Sequence, residues 1–289
     1  MSSVRTFFAF ILALLLFAIA PRINKDSINA GYYENAAGGF VVDHTSIGKY
    51  SRSADPILEV WVAPPSDSVT FALTVEFRRQ SEGDFTSAAM NKNPETLDRY
   101  FVQLPRLGRG EYYEYFFELT AGDGSQVLRL PQDENARITL LFEGRPSLLV
   151  WAAHVGVMFI AAMFAFQALF SVFGLRAYEK NLKRLSRKVF ITGVLMLLGT
   201  ALIGSLVSHT RFGYYWGGWP FGDNRTQTYM ELLILYWLGL TMLFRGTIFG
   251  FKPEKNFVSV PGAIVLTLVG VLFMIVVYLA GGHFVDIPL

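Results

Sequence analysis

The chain has 289 residues, 52% of them hydrophobic and only 17% charged, against the usual quarter for a soluble protein, and its mean hydropathy is +0.37. A net charge of +2 gives no basis for a nucleic-acid partner. The absence of cysteine excludes disulfides, thiolate metal sites, cysteine-ligated iron–sulfur clusters, thioether-attached haem and a cysteine nucleophile, and leaves His, Asp, Glu and Met as ligands for non-covalent haem, copper or zinc.

The first apolar run, residues 6–20, follows Arg5 and reads as a signal-peptide core or an uncleaved signal anchor. Pro21 directly after Ala18-Ile19-Ala20 argues against processing, so residues 1–21 are expected to stay as an anchor. The stretch 22–147 is polar and mixed. Within it Val69, Phe71, Leu73, Val75 and Phe77 alternate with polar residues, as do Tyr113, Tyr115, Phe117 and Leu119, and then Ile138, Leu140 and Phe142. That period of two is the strand signature. Further strands are expected at 57–62, 97–104 and 125–130, divided by Pro64-Pro65, by 105–110 and by Ala121-Gly122-Asp123-Gly124. About seven short strands in this length imply an immunoglobulin-like β-sandwich. The pairs Arg78-Arg79 and Arg106/Arg109 read as solvated strand ends, and His44 beside Asp43 as an incidental surface histidine.

From residue 148 onward long apolar runs dominate, and 148–289 is expected to be a four-helix transmembrane domain. The spans predicted are 148–173, 189–207, 229–244 and 257–280, each near the 17–25 residues needed to cross about 30 Å of hydrocarbon. Between the first two lie Arg176, Lys180, Lys183, Arg184, Arg187 and Lys188 against Glu179 alone, and Lys252 and Lys255 follow the third. The positive-inside rule makes both stretches cytoplasmic. The expected placement is a bacterial inner membrane with the amino terminus inside and both 22–147 and the carboxyl terminus outside.

Two stretches carry a resemblance. The order LTVEFRRQSEGDF…AAM, YFVQLPRLGRGEYYEYFFELTAGDG, LPQDENARITLLFEGRPSLLVWAAHVGVMF, followed by FGYYWGGWPFGDNRTQT, resembles a recurrent family of uncharacterised bacterial membrane proteins. The resemblance covers roughly residues 69–227. It implies an outer sandwich followed by four helices, with a W-x-G-x-P-F-G-x-D-type loop between the second and third. The family pattern continues toward D-x-T-D-N-K-T, from which this chain departs after Gly222. The resemblance implies architecture and no activity.

On the predicted topology His154, His209, Glu231 and His283, with Asp286 behind it, fall at one level near the outer membrane face. Polar groups gathered there mark a site when they find partners. Two imidazoles from different helices suit a b-type haem, and three, or two with a carboxylate, suit copper or zinc. No HxxxH or HExxH pair lies on one helix. Each residue also has a plainer reading: a histidine bonded to a carbonyl or water, and Glu231 paired with Arg211 or Arg225. Met158 and Met163 read as bundle packing. Within the outer loop, 209–228, the residues Trp216, Gly218, Trp219, Pro220, Phe221, Gly222 and Asp223 stand out. Aromatics of an interfacial belt do not require interleaved glycines, so a compact, structured loop is expected. With no phosphate loop, nucleophile elbow or other catalytic set, the chain reads as a non-enzymatic subunit in contact with the lipid bilayer and with other membrane protein subunits.

Overall fold

The structure, a computed structural model, describes residues 2–23, 30–66, 68–80, 83–96, 98–173, 179–222, 224–250 and 252–280. The chain separates into two compact units. One comprises Ser27–Arg145 with Arg211–Gly213, and the other Met1–Asp26, Pro146–Thr210 and Tyr214–Leu289.

Among the described residues the first unit has eleven strands in two sheets rather than the seven expected. They are β1 (Tyr32–Ala37), β2 (Phe40–Thr45), β3 (Lys49–Tyr50), β4 (Ile57–Ala63), β5 (Phe71–Arg79), β6 (Thr86–Ala89), β7 (Asn91–Lys92), β8 (Arg99–Gln103), β9 (Tyr112–Ala121), β10 (Gln126–Leu130) and β11 (Ile138–Phe142). One sheet runs β1-β2-β4-β8-β7, the other β3-β11-β9-β5-β6, with β10 paired to β9. Most pairs are antiparallel, and β3 joins β11 in parallel. The β1–β2 hairpin escapes a search for apolar alternation because Tyr32–Ala37 (YYENAA) is mostly polar or small. Its signal is the turn: Gly38 and Gly39 both adopt positive φ, as a two-residue hairpin of the primed type requires.

Alternate residues of both sheets meet in one core. Leu58, Val60 and Val62 of β4 share it with Leu73 and Val75 of β5, Tyr115, Phe117 and Leu119 of β9, and Ile138, Leu140 and Phe142 of β11. The central ladder pairs all nine residues of β5 with β9, from Phe71 opposite Ala121 to Arg79 opposite Tyr113. On its other face the opposed Arg78 and Glu114 form an ion pair at 2.8 Å, and Arg79 pairs with Glu111. Of the arginines expected to be solvated strand ends, Arg78 and Arg79 thus have carboxylate partners at the β5–β9 ladder, while Arg106 and Arg109 are exposed.

The second unit is helical: α1 (Ser2–Ile23), α2 (Leu148–Val172), α3 (Glu179–Leu197), α4 (Ser205–Phe212), α5 (Arg225–Leu243), the short α6 (Arg245–Phe249) and α7 (Val260–Ala280). Residues Leu198–Gly204 between α3 and α4 form a π-helical stretch, so 179–212 is one continuous rod. Ser147 caps α2 by accepting from Val150 N, and Asn224 caps α5 by accepting from Gln227 N. Ser259 accepts from Gly262 N at the start of α7, where Pro261 lacks the N–H that would go unpaired in a first turn.

Among the described residues four helices are long and apolar enough to cross a membrane: Ser3–Ala20, Leu148–Val172, Asn181–Phe212 and Val260–Leu279. The set differs from the one expected, because α5 is not among them. Its opening turn, Arg225-Thr226-Gln227-Thr228, is polar and Glu231 occupies the second, which shortens its apolar run. At 1.5 Å per residue the 32-residue span Asn181–Phe212 is about 48 Å long, well beyond the ~30 Å of hydrocarbon.

Helices approach closely through small side chains. Ala9, Ala13 and Ala20 of α1 and Ala161, Ala162, Ala165 and Ala168 of α2 are fully buried, and Trp237 and Tyr278 fill the wider gaps. Phe17 of α1 meets both Phe159 and Tyr278. Residues 6–20 therefore pack as an integral helix of this unit.

Candidate functional site

In the helical unit the most specific polar arrangement surrounds His154 on α2. Its Nδ1 lies 2.8 Å from the Gly199 carbonyl oxygen, in the π-helical stretch. A carbonyl only accepts, so Nδ1 carries the proton and the basic lone pair of the neutral ring sits on Nε2. One turn further along α2, Met158 packs so tightly on Gly199 that a Cβ there would stand 2.5 Å from its Sδ. Thr200 directs Oγ1 at the same sulfur at 3.7 Å, and Tyr278 donates to the Met158 carbonyl at 3.4 Å. The π-turn, with its second glycine Gly204 against the imidazole, thus forms the wall opposite both side chains. Such turns interrupt the regular ladder and recur at functional positions. The pairing of His154 with Met158 at i, i+4 escaped a search confined to histidine pairs.

Among the described residues His154 is not grouped with His209 and Glu231 in a set that could hold a metal ion. His209 lies five residues, about 7.5 Å of helix, beyond Gly204. Its ring stacks on Tyr215 at 4.2 Å and 3° between planes. Glu231 forms no ion pair with Arg211 or Arg225, contrary to expectation. Its Oε2 is buried with no hydrogen-bond partner, as is the hydroxyl of Ser208. His283 and Asp286 lie outside the described residues. Among the described residues no three His, Asp or Glu side chains converge on a point that a metal ion would fill.

The loop before α5 is fixed from below by that helix. Gly217 N donates to Gln227 Oε1, Trp219 N to Thr228 Oγ1 at 3.0 Å, and Asn224 N to the Gly217 carbonyl at 2.8 Å. Phe221 N and Gly222 N both donate to the carbonyl of the buried Gly218. A Cβ on Gly222 would fall 2.5 Å from the Gly217 oxygen, so the turn closes only with glycine there. Trp216 is half-buried, whereas Trp219 and Phe221 are 68% and 81% exposed beside the exposed Pro220. The result is an ordered backbone presenting bare aromatic side chains. Asp223 lies outside the described residues.

The β-sheet unit holds its own polar set. His44 is not a surface residue: Phe40, Val42 and His44 alternate inward along β2, and His44 is 1% exposed. Its Nδ1 donates to the Glu59 carbonyl at 2.6 Å, and its Nε2 accepts from the Tyr115 hydroxyl at 2.9 Å, which joins the two sheets. Burial holds its pKa down to about 4 against the weaker upward pull of the Glu59 carbonyl, and burial raises that of Tyr115. Glu143, also buried, accepts from Arg211 Nε at 3.2 Å and Nη2 at 2.6 Å, and Lys49 Nζ stands 3.8 Å from its other oxygen. Arg129 is buried with its guanidinium 4.0 Å over the Phe116 ring while donating to the carbonyls of Pro131, Asp133 and Ala136.

No protein-family model matches the chain, and no curated protein matches it at a significant level.

Proposed function

We propose that this chain is an integral membrane accessory or scaffold subunit of a bacterial envelope complex, with the β-sheet unit outside the inner membrane and the Trp219–Phe221 surface as its docking point for a partner membrane protein. One observation carries the reading: the loop backbone is locked to α5 by side-chain and backbone hydrogen bonds while Trp219 and Phe221 remain uncovered. Belt aromatics need no such framework, whereas an interface gains from anchors whose ordering cost is already met. The topology rests on the basic residues of 176–188, between α2 and α3.

For the β-sheet unit the reading is immunoglobulin-like. If β2, β4, β5, β6, β7, β8, β9 and β11 are taken as strands A, B, C, C′, D, E, F and G, the observed orders are A-B-E-D and G-F-C-C′. Tyr113, second in β9, donates to the Pro105 carbonyl at 3.0 Å, eight residues upstream, in the manner of a tyrosine corner.

The test is purification of the full chain in mild detergent beside the Trp219→Ala/Phe221→Ala double variant. A defined membrane protein that accompanies the wild type and is lost from a folded variant supports the reading. A wild type that runs as a lone monomer after cross-linking in the membrane overturns it.

A second reading is a haem- or copper-binding redox subunit, favoured by the His154 arrangement. The His154 Nδ1–H donates to a carbonyl, the usual outer-shell pattern of a ligating imidazole, and Met158 places a soft thioether one turn away. A Soret band or stoichiometric copper, lost in His154→Ala, would establish it, and a colourless, metal-free preparation would sink it.

A further inference from the structure

The end of the helical unit where α1 begins, α2 ends and α3 begins holds a group the proposed function does not use. Lys188 of α3 is half-buried, and its ammonium donates to the Gln167 carbonyl at 3.1 Å and to Ser171 Oγ at 3.0 Å, both on α2. Ser171 Oγ donates in turn to the same Gln167 carbonyl at 2.8 Å. Two of the three N–H donors of the ammonium are thereby used and its direction is set, which leaves one for a ligand. Arg184 precedes Lys188 by one turn of α3, and Arg5 stands in the first turn of α1, where its charge acts on the same ammonium. The ion pairs described between side chains, Lys49 and Arg211 with Glu143, Arg78 with Glu114, Arg79 with Glu111 and Arg99 with Glu59, lie in the β-sheet unit.

Basic groups held next to hydrocarbon are stabilised when an anion joins them. The surroundings indicate which kind. The unbroken apolar run of α3 starts at Val189, directly after Lys188, so the ammonium stands where headgroups give way to acyl chains. Exposed Phe190 lies within one turn of Lys188, and exposed Phe7 and Phe8 within one turn of Arg5. Basic groups set between transmembrane helices with apolar surface below them are the features that recognise anionic lipids.

We infer that Arg5, Arg184 and Lys188, with Lys188 aimed by Ser171 and Gln167, form a binding site for a phosphate anion, occupied by the headgroup of an anionic phospholipid whose acyl chains lie along the adjoining phenylalanines. The inference needs the helices to span a membrane and is independent of the docking role given to the aromatic loop.

The experiment reconstitutes the full chain in nanodiscs of phosphatidylcholine with or without phosphatidylglycerol and counts retained lipids by native mass spectrometry. Three proteins are compared: wild type, Arg5→Gln/Arg184→Gln, and Lys252→Gln/Lys255→Gln, which removes the same charge elsewhere. The first pair leaves the Lys188 packing untouched, so misfolding does not confound the reading. One tightly held phosphatidylglycerol is expected on the wild type and on the Lys252/Lys255 variant, with affinity lower by on the order of tenfold in the Arg5/Arg184 variant. Equal retention of both lipids by the wild type, or equal phosphatidylglycerol retention by all three proteins, overturns the site. Protection of the wild type by inorganic phosphate alone, with no preference for phosphatidylglycerol, overturns the lipid assignment.

Discussion

The two units treat buried polar groups in opposite ways. In the β-sheet unit His44, Arg129 and Glu143 are all buried, and each is bonded to named partners. In the helical unit lie all four buried side-chain polar atoms that lack a partner among the described residues: Thr192 Oγ1, Ser208 Oγ, Glu231 Oε2 and Trp237 Nε1. A buried polar group left unbonded is costly, and native structures keep few of them without a reason. The β-sheet unit is thus a closed module whose chemistry is spent on its own stability. The helical unit keeps unspent polar capacity in an apolar setting, and the search for a bound group or partner belongs there.

The contrast can be broken most sharply at Phe117, a fully buried ring of the shared core. Phe117→Ala is expected to cost about 3–5 kcal/mol, seen as faster hydrogen exchange across the β-sheet amides with the helices unaffected. Loss of protection in both units together would show that they are not energetically separate. Acid is the next largest lever. Because the folded pKa of His44 is held at about 4 and the unfolded imidazole titrates near 6.5, the unfolded state binds more protons between those values. Stability is therefore complete above about pH 6.5 and falls by about 3 kcal/mol as the pH drops toward 4. In His44→Gln this portion of the pH dependence should vanish, and its persistence would assign the loss elsewhere.

Two carboxylates sharpen the same comparison at smaller scale. Glu143→Gln removes the charge that Arg211 grips and is expected to cost about 2 kcal/mol. Glu231→Gln, where the buried Oε2 has no hydrogen bond to lose, should change the unfolding free energy by no more than about 0.5 kcal/mol. A large loss at Glu231 would reveal a bound cation or partner that its carboxylate serves.

Much of the architecture is legible in residues alone, because period-two alternation and long apolar runs are direct consequences of strand and helix geometry. Strands β5, β9 and β11 follow from their inward Val, Leu, Phe and Tyr residues, and α2 and α7 from unbroken apolar length. What escapes is whatever depends on three-dimensional neighbours. His44 continues the inward set Phe40-Val42 and was readable as a core residue, but the hydroxyl of Tyr115 that completes it lies 71 residues away. Arg211 was open to Glu231 by proximity in sequence, and Glu143, 68 residues off, holds it instead. The π-helical stretch has no periodic signature, since Leu198–Gly204 differs from an α-helix in how it hydrogen-bonds and not in its apolar pattern. Only the glycines at 199 and 204 hint at the close approach of α2.

The central claim is that an ordered aromatic loop presents Trp219 and Phe221 to a partner protein. The most direct measurement places a photo-crosslinking phenylalanine analogue at position 219 of the full chain and irradiates intact membranes. The account predicts one discrete adduct with another membrane protein, diminished when Phe221→Ala is added. Cross-linking to lipid alone, unchanged by Phe221→Ala, would contradict it and return the loop to an interfacial belt.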